Sequence, residues 1–296
     1  MGESVSALSI PSNAVGVPAR LQERIERRLT EGTLDLPMLP QVASEILAQG
    51  DAESSDVRRL SDLLHRDQAL AGHVLRVANS AAFGGDVKIQ SIQQALIRIG
   101  LVQMREIVVT VALHGKVFRG GSQQDLLAEL WRHSTIAGLY AKEIARHLRS
   151  NVESAFVCGL LHDVGKPVVL GMVLDLRREL GEPATRATCV AALDAFHTRI
   201  GRLLAERWAL PEPVLDSITF HHEAEAATQL GKAVQMTALA DLLAYAAVKS
   251  DEAFEADRAL LAGHPLYGAL NLYPDDVEAL FAKRASVLAQ AEAFTS

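Results

Sequence analysis

Seven imidazoles and carboxylates in the second half of the chain stand in an order that could gather one or two divalent ions: His133, His162, Asp163, His197, His221, His222 and Asp241. Mixed nitrogen and oxygen donors of this kind suit Mn, Fe, Zn or Mg, and ligand softness does not choose among them. The sharpest segment is Leu160-Leu161-His162-Asp163-Val164-Gly165-Lys166, an imidazole beside a carboxylate between an apolar helix end and a glycine turn. Side by side they can ligate one ion, and Lys166 can hold a phosphate oxygen as a point charge. Taken by itself the segment reads equally well as a turn that Asp163 caps, with His162 half exposed.

Asp241 tips that balance. It is the only charge between Lys232 and Lys249, in Ala-Val-Gln-Met-Thr-Ala-Leu-Ala-Asp-Leu-Leu-Ala-Tyr. Burying an ionised carboxylate without a partner costs several kcal/mol or forces a proton onto it. A metal, a lysine or an arginine must therefore reach Asp241, or its helix must expose an edge. His133 lies on an apolar stripe between Leu130 and Ala137, where a lone histidine is ordinarily a core residue. His197 and the doublet His221-His222 extend the set. Neighbours on a helix point about 100 degrees apart, so a doublet can face two ions, or one ion and its substrate. His65, His73, His114, His147 and His264 have no such company and read as surface or packing residues.

The elements that must position these groups read as helices throughout. The 296 residues are 49% hydrophobic but only 5% aromatic, rich in Leu and Ala, which favours helices over a β-sandwich. Helices are expected at about 19–30, 40–49, 55–65, 68–82, 92–99, 101–118, 124–149, 152–161, 167–180, 188–208, 211–220, 233–248 and 275–293. Ser54 or Ser55, Asp67 and Ser91 are the expected N-caps, and Gly100 a helix end. The β-branched run Ile107 to Val111 makes a strand the competing reading at 101–118, which its length and the lack of hairpin signals disfavour. The division expected is a leader at 1–18 without fixed structure, one helical half at 19–121 and a second at 122–296, parted at Arg119-Gly120-Gly121-Ser122.

Twenty-nine basic against 36 acidic side chains leave a formal charge of −7, which argues against a protein that lives on a phosphate backbone. The segment 100–113 superficially resembles a helix-turn-helix, but Arg105 is the only basic residue of the would-be recognition helix, so it reads as core. Two isolated cysteines, Cys158 and Cys189, read as reduced thiols. Gly2 and Ser6 fit a loose myristoylation pattern that arises easily by chance, and no signal peptide is legible. The apolar run 233–248 has 16 residues, short of the roughly 20 that cross a bilayer. A cytoplasmic protein without a membrane span is expected.

The order His133, His162-Asp163, Asp241 resembles the signature of the HD superfamily of metal-dependent phosphohydrolases, and His197 with His221-His222 resembles the extra ligands of its HD-GYP branch. The first half is similar to a nearer relative. Leu36-Pro37-Met38-Leu39-Pro40, Asp67-Gln68-Ala69-Leu70, Leu75-Arg76-Val77-Ala78-Asn79-Ser80 and the segment 92–101 resemble the HDOD family, the HD-related output domain of bacterial signalling proteins. Gly159 to Asp163, Arg207-Trp208-Ala209-Leu210-Pro211 and the doublet carry the likeness into the second half, so that it covers about 36–245. What the resemblance implies is an all-α fold, one helical bundle packed on an HD-like bundle, and a regulatory role toward signalling proteins or a nucleotide or phosphate ligand.

This chain keeps every position of the metal set, unlike many such output domains. It departs from the HD-GYP branch, because 18 residues separate His222 from Asp241 and no Gly-Tyr-Pro loop follows Glu223; Tyr273-Pro274 lies beyond Asp241. Two readings follow: a regulator acting through binding, or a metal-dependent phosphohydrolase with Asp163 and Lys166 in its catalytic set.

Overall fold

The computed structural model describes residues 16–47, 56–83, 88–118, 123–223 and 231–295. Among them the chain is helical and contains no strand. Gly2, Ser6, the serine pair at 54–55 and the expected boundary at 119–122 lie outside the described residues.

The first half consists of α1 (Ala19–Glu31), α2 (Gln41–Leu47), α3 (Asp56–Arg66), α4 (Gln68–Ala78), α5 (Ile92–Ile99) and α6 (Leu101–Val117). Asp67 and Ser91 cap α4 and α5 by accepting from the backbone N–H groups of Leu70 and Gln94. α4 ends four residues earlier than the apolar spacing implied. Asn79 stops it there: its amide donates to the carbonyls of Leu75 and Ile89 while its oxygen accepts from Ile89 N–H. The β-branched run of α6 is helical and buried on nearly every side, with α2, α4 and α5 packed around it.

The second half comprises α7 (Gln124–His147), α8 (Val152–Leu161), α9 (Gly165–Leu180), α10 (Arg186–Arg207), α11 (Glu212–Phe220), α12 (Lys232–Ala247), α13 (Asp251–Leu261), α14 (Pro265–Ala269), α15 (Pro274–Ala282) and α16 (Arg284–Thr295). α7, α8 and α12 form its centre, α9 and α10 pair beside it, and α11 bridges α8, α10 and α12. The helix expected across 275–293 is two, because Arg284 ties the start of α16 to the carbonyls of Ala247 and Lys249 at the end of α12. α13 and α14 were not legible in the sequence.

The sequence division places α1 with the first half. In the fold it packs on α9, with Leu21 and Ile25 fully buried and Arg28 on Glu179 at 2.6 Å. Residues Val152–Leu180 are long and apolar enough to cross a bilayer by length and composition, but 78% of that apolar window is buried inside the protein. The segment is α8 and α9 joined by the turn that carries His162 and Asp163. Both cysteines are free and buried, and burial pushes the Cys158 thiol up to about 11.

Candidate metal centre

Four elements converge on the His162-Asp163 turn. His133 comes from the middle of α7, His197 from α10, Asp241 from α12, and His221-His222 from the 3-10 turn His221–Glu223 that closes α11. Helix packing at this point depends on two glycines. A Cβ on Gly159 would lie 2.7 Å from the Ala137 carbonyl oxygen of α7, and one on Gly165 would lie 2.0 Å from the His197 carbonyl oxygen of α10. Any larger residue would push α8 from α7, or α9 from α10, and part the donors they carry.

The side chains meet as two groups with Asp163 between them. His133 Nε2 stands 2.8 Å from Asp241 Oδ1 and 3.3 Å from His162 Nε2, and His162 Nε2 is also 3.3 Å from Asp241 Oδ1. Asp163 presents Oδ2 to this group, 3.3 Å from His162 Nε2 and 3.7 Å from His133 Nε2. Its Oδ1 faces the other group, 3.4 Å from His197 Nε2 and 3.7 Å from His221 Nε2. His222 Nε2 completes that group 3.0 Å from His197 Nε2. Within each set, His133, His162 and Asp241 or Asp163, His197, His221 and His222, one donor atom per residue lies within 4.8 Å of all the others.

Imidazole orientation is fixed from behind. His162, His197 and His221 place Nδ1 at 2.7, 2.7 and 3.0 Å from the carbonyl oxygens of Gly159, Leu193 and Ser217. A carbonyl can only accept, so each Nδ1 carries a proton and each ring turns Nε2 inward, where its lone pair can ligate once that atom is deprotonated. Metal-ligating histidines are held in this way. All these residues are buried except His222, which is exposed at the edge.

The buried charges explain why the cluster calls for a cation. Burial alone would raise the Asp241 carboxyl, but hydrogen bonds from His133 and His162 hold it well below the carboxylate range. Asp163 is likewise held low against burial, by His162 and by Lys166, whose Nζ lies 2.5 Å from Oδ2 off the angle of a hydrogen bond. Burial works to discharge His162 too, yet the two carboxylates push its pKa up to about 10. His133, His197 and His221 are lowered by burial, His197 to about 4. Asp163 Oδ1 and His221 Nε2, both buried, have no hydrogen-bond partner among the described residues. A divalent cation would satisfy both atoms and take the place of the His162 proton between the two carboxylates, so the donors fit the group that the sequence implied.

One further residue belongs to the site. Tyr245, one turn after Asp241, lies tilted against the His133 ring at a centroid distance of 4.2 Å and accepts from Lys166 Nζ at 3.3 Å. It was not read from the sequence; its i,i+4 spacing from Asp241 was the available signal. Of the histidines set aside, His264 caps α14, His147 lies 3.2 Å from Asp276, and His114 stacks on Trp131.

Comparison with known proteins agrees with this architecture. A solved HDOD domain protein of unknown function from Geobacter sulfurreducens is 28% identical and superposes with a TM-score of 0.67, covering 92% of this chain and 97% of its own. A candidate phosphohydrolase from Shewanella amazonensis shares the fold at 24% identity, TM-score 0.66, over 93% of this chain and 98% of its own. Among curated proteins, an uncharacterized protein of Treponema pallidum is 30% identical over 227 residues, 73% of this chain and 41% of its own length. Ribonuclease Y of Mycoplasmoides gallisepticum is 31% identical over 131 residues, 44% of this chain and 20% of that protein. The chain thus spans less than half the length of the curated relatives it matches. A profile of the HDOD domain matches residues 36–224, most of the chain, and on that match the protein belongs to the HDOD family.

Proposed function

We propose that the chain is a regulatory HDOD protein that retains a divalent-metal centre and acts by binding a partner or ligand rather than by turnover. The observation that carries this reading is burial: His162, Asp163, His197, His221 and Asp241 are each 5% exposed or less. Such a cluster is matched to an ion, whereas a phosphate ester must approach past His222 and Tyr245. His133, His162 and Asp241 would hold one ion; His197, His221 and His222 would hold a second, with Asp163 shared. A bound divalent ion supplies Lewis-acid charge that activates water and neutralises a phosphate. Lys166 would steady Asp163 and offer positive charge beside it, and Tyr245 would fix the lysine.

A metal-dependent phosphohydrolase is the second reading, favoured by the unbroken donor set and by Lys166 within the cluster. Assays of metal-loaded protein on phosphomonoesters, nucleotides and cyclic dinucleotides separate the two. The regulatory reading expects an ion bound with turnover absent or confined to a narrow substrate. Broad metal-dependent phosphate release that disappears in Asp163→Ala would replace it with the hydrolase. Cyclic dinucleotide cleavage is not expected, given the short His222–Asp241 spacing.

A further inference from the structure

A cleft lies where the two halves meet, away from the histidine cluster. It has a volume of about 220 Å³ and runs between α2 and α6 of the first half and α8 and α11 of the second. Ligand sites favour such junctions between packed units. Ile46, Val109, Phe156 and Val214, all buried, make its floor apolar, and it opens to solvent beside the exposed Asn151 and Pro211. The charges along its walls cancel. Arg105 Nη1 stands 3.3 Å from Glu153 Oε2, and the Glu106 carboxylate meets Lys142 and Gln103 through Oε2. A charged ligand would find no spare counter-ion here, and shedding its water would cost energy without return. One polar atom is left over. Glu106 Oε1 is buried and has no hydrogen-bond partner among the described residues. A buried acceptor in that state costs about 1–3 kcal/mol, which an N–H or O–H arriving from a ligand would recover. An apolar cavity of about 150 Å³ admits benzene, so a cleft of about 220 Å³ suits a ring system of about ten non-hydrogen atoms.

We infer that this cleft binds a small neutral ring compound with one hydrogen-bond donor, its apolar face on Val109 and Phe156 and its donor on Glu106 Oε1. Such a ligand bridges the two halves. It touches α6 on one side and, on the other, α8 and α11, the helices that end at His162 and His221. The inference stands whether or not those histidines hold an ion.

Indole and indene make a matched pair of probes, alike in shape but with an N–H donor only on indole. Ligand-detected NMR titration of the full chain with each, and with benzoate as an anion, is the measurement. Indole should bind at micromolar to millimolar concentration, as a ligand of this size does. Indene should bind about tenfold more weakly for want of the hydrogen bond to a carboxylate, and benzoate more weakly than indole. Glu106→Gln keeps the side-chain volume. Its amide oxygen can still accept from Lys142, which turns the amide N–H groups toward the ligand, so the preference for indole over indene should fall to about one. Val157 stands partly buried on the cleft wall, and Val157→Phe should fill the space and abolish binding of both probes. If that variant does not fold, as its thermal midpoint will show, the indole-to-indene ratio in Glu106→Gln decides alone. Asp163→Ala should bind indole as the wild type does. Failure of indole to bind at millimolar concentration would overturn the assignment. So would indene or benzoate binding as tightly as indole, an unchanged ratio in Glu106→Gln, binding that survives in folded Val157→Phe, or binding lost in Asp163→Ala.

Discussion

Asp163 has one oxygen toward each group of donors, and around it protons occupy the places a cation would take. His162 carries the most consequential of these. With its pKa held up to about 10 by the carboxylates, against about 6.5 in an unfolded chain, it stabilises the ion-free fold fully below about pH 6.5 and loses that contribution as pH rises through about 10. His197 works in the opposite sense. Lowered to about 4 by burial, its contribution is present above about pH 6.5 and is lost as pH falls toward 4. Thermal midpoints measured in chelator should therefore peak near neutrality and fall on both sides, and divalent ions should flatten the alkaline limb by taking the place of the His162 proton. A midpoint constant from pH 6.5 to 10 in chelator would show that the carboxylates do not surround His162. All seven donors were legible as residues, since each is a histidine or aspartate in an apolar setting. Their sorting into two groups was not, because it depends on which way each helix faces.

At the level of elements, the helices were legible where an apolar stripe runs for several turns, as in α7 and α10. They were not where the segment is short: the five residues of α14 contain too little sequence to show a period. Contacts between elements leave fainter traces still. Gly165 reads in the sequence as a turn residue, yet its φ does not require glycine; the constraint is the α10 backbone passing over it. Gly165→Ala should cost about 3 kcal/mol or more, since the obstruction is backbone rather than a side chain that can swing away. Urea unfolding checks the magnitude, and metal analysis should show a loss at the group that includes His197. A variant as stable as the wild type, with metal content intact, would mean that α9 and α10 do not approach this closely.

For the whole molecule, the question is what joins the two halves. α1 lies across α9, and at the joint of α6 with α7 the buried Lys142 ammonium sits 2.5 Å from Glu106 Oε2 and donates to Gln103 at 2.9 Å. Burial raises the Glu106 carboxyl even with that partner present. Lys142→Met would leave Glu106 without its cation, a loss of about 3–5 kcal/mol for a buried pair broken from one side. The double variant Lys142→Met, Glu106→Leu should recover most of it in the same denaturation experiment; failure to recover would place the cost in packing rather than charge. Composition made the all-α class legible, and the resemblance supplied the pairing of two bundles. The position of α1 was not legible, because an amphipathic helix shows that it has a buried face but not what covers it.

Metal stoichiometry bears most directly on the central claim, that five elements, the His162-Asp163 turn among them, gather six other donors around Asp163. Protein loaded with Mn, Fe or Zn and freed of excess ion should retain up to two ions per chain. Asp241→Ala and His197→Ala should each lose the ion of their own group, and Asp163→Ala should weaken both. A folded wild type that retains no more metal than Asp163→Ala would contradict the account.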